Sequence, residues 1–133
     1  MTSKGLAKKA AQFALTKKAL DVVIMDLRKL TTMTDFFVVC SADSTTQVKA
    51  IADAVDEGLF QLGENVWHSE GLSEASWALL DCVNVVIHIF HTQTRSFYNL
   101  EKLWGDAGFE YVSDTPPKTV IKKTPRKSKK VTQ

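Results

Sequence analysis

The residues able to do chemistry are concentrated in one stretch, Ser76 to Trp104, SWALLDCVNVVIHIFHTQTRSFYNLEKLW. Asp81, Cys82, His88, His91, Arg95 and Glu101 all fall within it. A metal site would draw on the histidines. His88 and His91 stand three apart on a strand-like run and so point to opposite faces, which is poor ligand geometry, and no carboxylate or cysteine pattern completes a set. Nucleophilic catalysis would need a Ser or Cys beside a base and an orienting acid. Asp81 and His88 could meet across a hairpin with Cys82 exposed in its turn, but no nucleophile stands in an elbow motif. Nucleotidyl transfer needs a Gly-Ser loop and two carboxylates one residue apart on a strand to hold magnesium. Gly71-Leu72-Ser73 precedes Asp81, but Cys82, Val83 and Asn84 follow it, so the second carboxylate is missing. No Gly-rich phosphate loop of either familiar kind occurs. No catalytic residue, metal ligand or cofactor is assigned.

The elements that must position these residues are a β-hairpin and the helix after it. Ser76–Asp81 and Val85–His91 are short runs rich in β-branched and aromatic residues, with no room for a crossover between them. With a two-residue loop, Ala78, Leu80, Ile87 and Ile89 share an apolar face. Trp77, Leu79, Asp81, Val86, His88 and Phe90 then share the other, mixed face. A three-residue loop would exchange the partner set of the second strand. The mixed face combines an aromatic anchor with a few polar groups, the composition of an interface patch. Trp77 packing beneath a helix explains the same residues equally well.

Elsewhere the chain alternates helices and strands. Ser3–Leu20 has helical spacing in Leu6, Ala10, Phe13, Ala14 and Lys17. Asp21–Leu27 and Phe36–Cys40 are apolar runs of strands buried on both faces. Ser44 and Gln47 have capping-box spacing before the stripe Val48, Ile51, Ala52, Val55, Leu59 and Leu62, and Gly63 is the expected stop. A short strand is expected around Val66-Trp67. A final helix is expected from Arg95, with Phe97, Leu100, Leu103 and Trp104 as its buried stripe. The order α-β-β-α-β-β-β-α predicts a mixed sheet with helices packed on it. Residues 1–112 are expected to form one domain. Residues 113–133, Lys-rich with three prolines, are expected to be disordered.

In a chain of 133 residues, 44% hydrophobic and 24% charged, the composition is that of an ordinary soluble globular protein. The net charge of +2 conceals a division. Seven basic residues lie between Lys118 and Lys130, leaving ten basic against fifteen acidic residues in the rest. Such a tail would bind nucleic acid through charge with little sequence preference. Cys40 and Cys82 are expected as buried free thiols. No apolar run approaches membrane-spanning length, and the basic N-terminus runs into the domain without a spacer, so a cytosolic location is expected.

More specific is the ordered set Asp35-Phe-Phe-Val-Val, Ser41 to Gln47 with Val48, Glu70-Gly71, Trp77-Ala-Leu-Leu-Asp81, Val85-Val-Ile-His88-Ile-Phe90 and Arg95-x-Phe-Tyr98-x-Leu-Glu101-x-Leu-Trp104. From about Leu15 to Trp104 this closely resembles the ribosomal silencing factor, or Iojap, family. The resemblance implies an α/β fold: a mixed five-stranded sheet with helices on both faces, an α-β-α sandwich like that of nucleotidyltransferases without their activity. It implies binding to the large ribosomal subunit through that subunit's fourteenth protein, blocking the small subunit from joining and lowering translation. Position by position, it implies Trp77, Leu79, Asp81, His88, Arg95, Tyr98 and Glu101 as partner-binding residues. Where the family's turn usually reads Asp-Tyr-Gly-Asp, this chain has Asp81-Cys82-Val83-Asn84, and Val83 cannot supply a positive φ cheaply. Three expectations follow: a non-enzymatic silencing factor, with rivals in a nucleotidyltransferase-like enzyme and a homodimeric scaffold; charge-based contact of the tail with ribosomal RNA; and no membrane partner.

Overall fold

The computed structural model describes residues 1–113. Helix α1 (Ser3–Leu15) opens the chain, capped by the Thr2 side chain, which accepts a hydrogen bond from the Gly5 N–H at 3.0 Å. Its inner face is Leu6, Ala7, Ala10, Ala11 and Ala14, all buried, and the small side chains let the helix lie close to the sheet. It stops five residues short of the expected Leu20. Lys18 turns left-handed (φ 61°) and the Ala19 N–H reaches back to the Ala14 carbonyl, ending the helix without a glycine.

Strands β1 (Leu20–Asp26) and β2 (Phe36–Ala42) follow, then helix α2 (Thr45–Gln61). Both strands have buried runs on both faces, as their continuous apolar sequence predicts. Ser44 caps α2 by accepting from the Gln47 N–H. The reciprocal half of the capping box is absent: the Gln47 side chain donates instead to the Lys17 carbonyl, tying α2 to the end of α1. Gly63, with φ 81°, lets the Glu64 N–H return to the Leu59 carbonyl and closes the helix.

Strands β3 (His68–Glu70), β4 (Trp77–Asp81) and β5 (Val85–His91) lead to helices α3 (Thr92–Tyr98) and α4 (Leu100–Leu103), and β6 (Gly108–Val112) completes the sheet. The order is β3-β4-β5-β2-β1-β6, so the sheet is mixed and has six strands rather than five. Only β2 and β5 run parallel; the other neighbours are antiparallel. The short strand expected at Val66-Trp67 lies one step later, because pairing with β4 begins at the Trp67 N–H to Asp81 carbonyl bond. The strand β6 was not anticipated. It is an edge strand, almost wholly exposed, whose alternation of Phe109 and Tyr111 with Glu110 and Val112 is too short to stand out.

The larger core lies between α1, α2 and one sheet face. The smaller lies on the opposite face, where Val23, Met25, Leu27, Val39 and Phe90 meet Leu100 of α4. Of the expected buried stripe of the last helix, Leu100 and Trp104 pack against the smaller core and Phe97 and Leu103 do not. Leu100 is buried, but Phe97 is 81% and Leu103 71% exposed. Asn99 takes a left-handed φ of 48° and splits one expected helix into two, so helical spacing does not carry across the break.

The hairpin has the two-residue register. Trp77 pairs with Phe90, Leu79 with His88 and Asp81 with Val86. The Cys82 N–H bonds to the Val85 carbonyl at 2.8 Å, leaving Val83-Asn84 as the loop. Val83 takes the positive φ (73°) that a glycine would take, held by its N–H donating to the Asp81 carboxylate at 2.8 Å. Val83 is exposed and buries little to offset that strain. Val83→Gly is therefore expected to raise stability by about 1 kcal/mol, read as a higher urea midpoint at an unchanged slope.

Candidate interface on the open sheet face

Because side chains alternate along a strand, β4 sends Trp77, Leu79 and Asp81 to the face away from α1 and α2, and β5 sends Val86, His88 and Phe90 there too. Trp77 is half-buried. Its indole N–H donates to His88 Nδ1 at 3.1 Å, and its ring lies 4.9 Å from Phe90 and 4.6 Å from Tyr98. Phe37 of β2 stands edge-on to His88 at 4.4 Å, and Trp104 edge-on to Phe37 at 5.9 Å. The face thus carries a strip of rings, buried at His88 and Phe90 and open at Tyr98 and Phe97. Beside Trp77 a groove of about 360 Å³ is lined by Ser76, Trp77, Gln93, Thr94, Phe97 and Tyr98.

His88 is 4% exposed and burial holds its pKa down to about 4. Accepting from Trp77 leaves Nδ1 bare, so the neutral ring carries its proton on Nε2, which has no hydrogen-bond partner among the described residues. The unfolded histidine titrates near 6.5, so protons bind the unfolded chain preferentially between about pH 6.5 and 4. Stability is full above that window, falls through it as pH drops, and loses nothing further from this group below it. The loss attributable to His88 should be about 3 kcal/mol. His88→Gln keeps an acceptor for Trp77 and removes the titration. Urea unfolding at pH 7 and near pH 4 should show the wild type losing that much more stability than the variant.

The remaining residues singled out in the sequence are placed elsewhere. Asp81 does not meet His88: it pairs with Val86, and its carboxylate holds the turn. Cys82 is buried rather than exposed, and burial, reinforced by Asp81, Glu64 and Asp56, pushes its thiol up to about 11. No acid, base and nucleophile array therefore forms there. Arg95 and Glu101 are not free helix charges. Arg95 Nη2 and Nε bind one Glu101 oxygen at 2.7 and 3.1 Å, while Nη1 donates to Ser41 Oγ at 3.2 Å and the Leu20 carbonyl at 3.4 Å. This clasp fixes α3 and α4 against the ends of β1 and β2. It borders a second groove, with Asp21, Thr92, Asn99 and Tyr111, separate from the one beside Trp77. His91 is the N-cap of α3. Sequence reasoning did not assign Phe37, Ser76 or Trp104 to the site, although Ser76 and Trp104 bound the stretch it singled out. Phe37 was legible only as one more residue of a strand buried on both faces.

No helix among the described residues is long and apolar enough to cross a membrane, and no group of three or more metal-ligating residue types converges there.

The comparisons with known proteins agree with one another. A family model described as "Ribosomal silencing factor during starvation" matches residues 1–133. The ribosomal silencing factor RsfS of Bacillus subtilis is 41% identical over 107 residues, covering 80% of this chain and 91% of that protein. The chloroplastic protein Iojap of Zea mays is 36% identical over 105 residues, covering 77% of this chain and 42% of that protein. The crystal structure of a Chromobacterium violaceum protein matches with a TM-score of 0.78 at 31% identity, over 90% of this chain and 100% of that one. With a match along its whole length and relatives this similar, the chain belongs to the ribosomal silencing factor family.

Proposed function

We propose that this protein binds the large ribosomal subunit through that subunit's fourteenth protein and blocks joining of the small subunit. One observation carries the choice of surface. The rigid β4–β5 hairpin presents a half-exposed aromatic ledge, Trp77 and Tyr98 with Phe97 beside them, on the sheet face that α1 and α2 leave open. Large aromatic side chains with one buried edge are the usual anchors of protein interfaces. Trp77, Leu79 and Tyr98 make the contact. His88 holds the Trp77 indole, Asp81 holds the hairpin tip, and Arg95 with Glu101 holds α3 so that Tyr98 meets Trp77. The action is occlusion and needs no chemistry, so the protein is not an enzyme. Residues 1–112 act as one domain, in the cytoplasm.

A subunit-joining assay tests the reading. Large subunits incubated with the protein should fail to form complete ribosomes when small subunits are added, and washing the protein off should restore joining. Normal joining with saturating protein bound would contradict it. The same exposed ledge favours a second reading, a homodimer closed on Trp77. Sedimentation of the wild type and Trp77→Glu distinguishes the two, since only a dimer built on this face dissociates with the change.

A further inference from the structure

The groove beside the Arg95 clasp lies where the parallel pair of strands stops. β2 and β5 run side by side up to the Ala42–His91 pairing, and then the chain parts. β2 continues into α2, which packs on the larger core. β5 continues into α3 and α4, and Leu100 of α4 packs on the smaller core of the opposite face. Where neighbouring parallel strands send their helices to opposite faces, their carboxyl ends leave a crevice, and open α/β sheets take small ligands there. In this protein the crevice has a volume of about 470 Å³. Asp21, Ser41, Thr92, Ser96 and Tyr111 line it with the clasp, and no aliphatic side chain does so among the described residues.

The pairing of β1 with β2 is irregular between Leu20 and Val23, and there Asp21 takes a left-handed φ of 49°. Bulges of this kind are enriched beside functional sites. The Leu20 carbonyl accepts from Ser41 Oγ and from Arg95 Nη1, both at 3.4 Å, so this part of the groove is tied to the clasp. The Arg95 charge is already matched by Glu101. Asp21 forms no ion pair with another described residue. Glu101 binds Arg95 through Oε2 alone, and its Oε1 has no partner among the described residues. Two carboxylates thus face one guanidinium, which disfavours a phosphate and favours a ligand that donates hydrogen bonds. Tyr111 pairs with Val23 of the smaller core and so stands on that face, 69% exposed, offering one side of its ring. A ribose diol donates to a carboxylate, and a nucleobase stacks on an aromatic ring. We propose that this groove binds a nucleoside, its ribose hydroxyls on Asp21 and its base against Tyr111, with the Thr92 and Ser96 hydroxyls beside it. The site is separate from the Trp77 ledge, and the proposal goes beyond the silencing reading and does not rest on it.

The test is an NMR titration of the isotope-enriched full chain, without ribosomes, so its failure leaves the silencing reading as it was. The probes are adenosine, guanosine, cytidine and uridine. For at least one of them the amide signals of Asp21, Thr92, Ser96 and Tyr111 should shift and saturate, with a Kd of about 0.1 to 1 mM for a ligand of this size. The 2′-deoxy form of that nucleoside should bind about tenfold more weakly, because it leaves a carboxylate hydrogen bond unmade. Asp21→Asn keeps a residue that tolerates a left-handed φ and removes the carboxylate, and it should weaken binding by about tenfold. Tyr111→Ala should do the same through lost stacking. The amide spectrum of each variant shows whether it is folded. Four results would each overturn the proposal: no saturable shift with any of the four nucleosides, shifts centred on the groove beside Trp77, equal affinity for the deoxy form or for free ribose, and tighter binding of the 5′-monophosphate, which would mark an anion site.

Discussion

Trp77→Glu is expected to weaken binding to the large subunit by about a hundredfold or more, because a fully engaged tryptophan anchor is worth about 3 kcal/mol or more at an interface. The indole is placed for that role. One edge is fixed by the hydrogen bond to His88 and by the Phe90 and Tyr98 rings, while the rest faces the groove beside Ser76 and Phe97. An anchor already held in one rotamer loses little entropy on docking. The change also removes packing within the smaller core, at about 2 kcal/mol of folding stability for a half-buried ring. The variant's fold is therefore checked by circular dichroism. Tyr98→Ala, at an exposed position, should weaken binding in the same direction with a smaller effect on stability. If both variants bind normally while folded, the interface lies elsewhere.

Gly71→Ala is expected to produce the largest loss of folding stability, about 3 kcal/mol or more. Gly71 has φ 78°, and a Cβ built there would stand 2.0 Å from the Trp77 carbonyl oxygen. That oxygen belongs to the backbone at the start of β4, so no side-chain rotation relieves the clash; the loop or the strand must shift. For a domain of this size the melting temperature should fall by about 10 °C or more. Gly63→Ala is the control. Its φ of 81° is just as unfavourable for alanine, but the added methyl meets open space, so the cost should be about 1 kcal/mol. Equal losses at the two positions would show that backbone conformation alone, not the approach to Trp77, accounts for Gly71.

Much of this architecture was legible because it depends on local pattern. Parity along two short runs placed Trp77, Leu79 and His88 on one face and Ala78, Leu80, Ile87 and Ile89 on the other. Ser44 announced the start of α2, and Gly63 its end. Two of the misses share a cause. The turn that follows α1 is made at Lys18 and the last helix breaks at Asn99, and each is a non-glycine residue with positive φ. Turn signals in a sequence lean on glycine, which adopts that region without strain, so breaks made by other residues pass unnoticed until packing imposes them. The site divided on the same principle. Trp77 and His88 face each other across one hairpin, within reach of strand parity. The clasp of Arg95 depends on Leu20 and Ser41, which lie 75 and 54 residues away, and no local spacing announces it.

The central claim, specific attachment to the large subunit, is tested most directly by co-sedimenting the purified protein with separated ribosomal subunits at low and moderate salt. Retention by the large subunit alone, persisting at moderate salt, is the predicted result, because an aromatic protein contact is only weakly screened. Binding to both subunits that disappears as salt rises would mean that basic residues are holding ribosomal RNA through charge alone. That outcome would contradict the account.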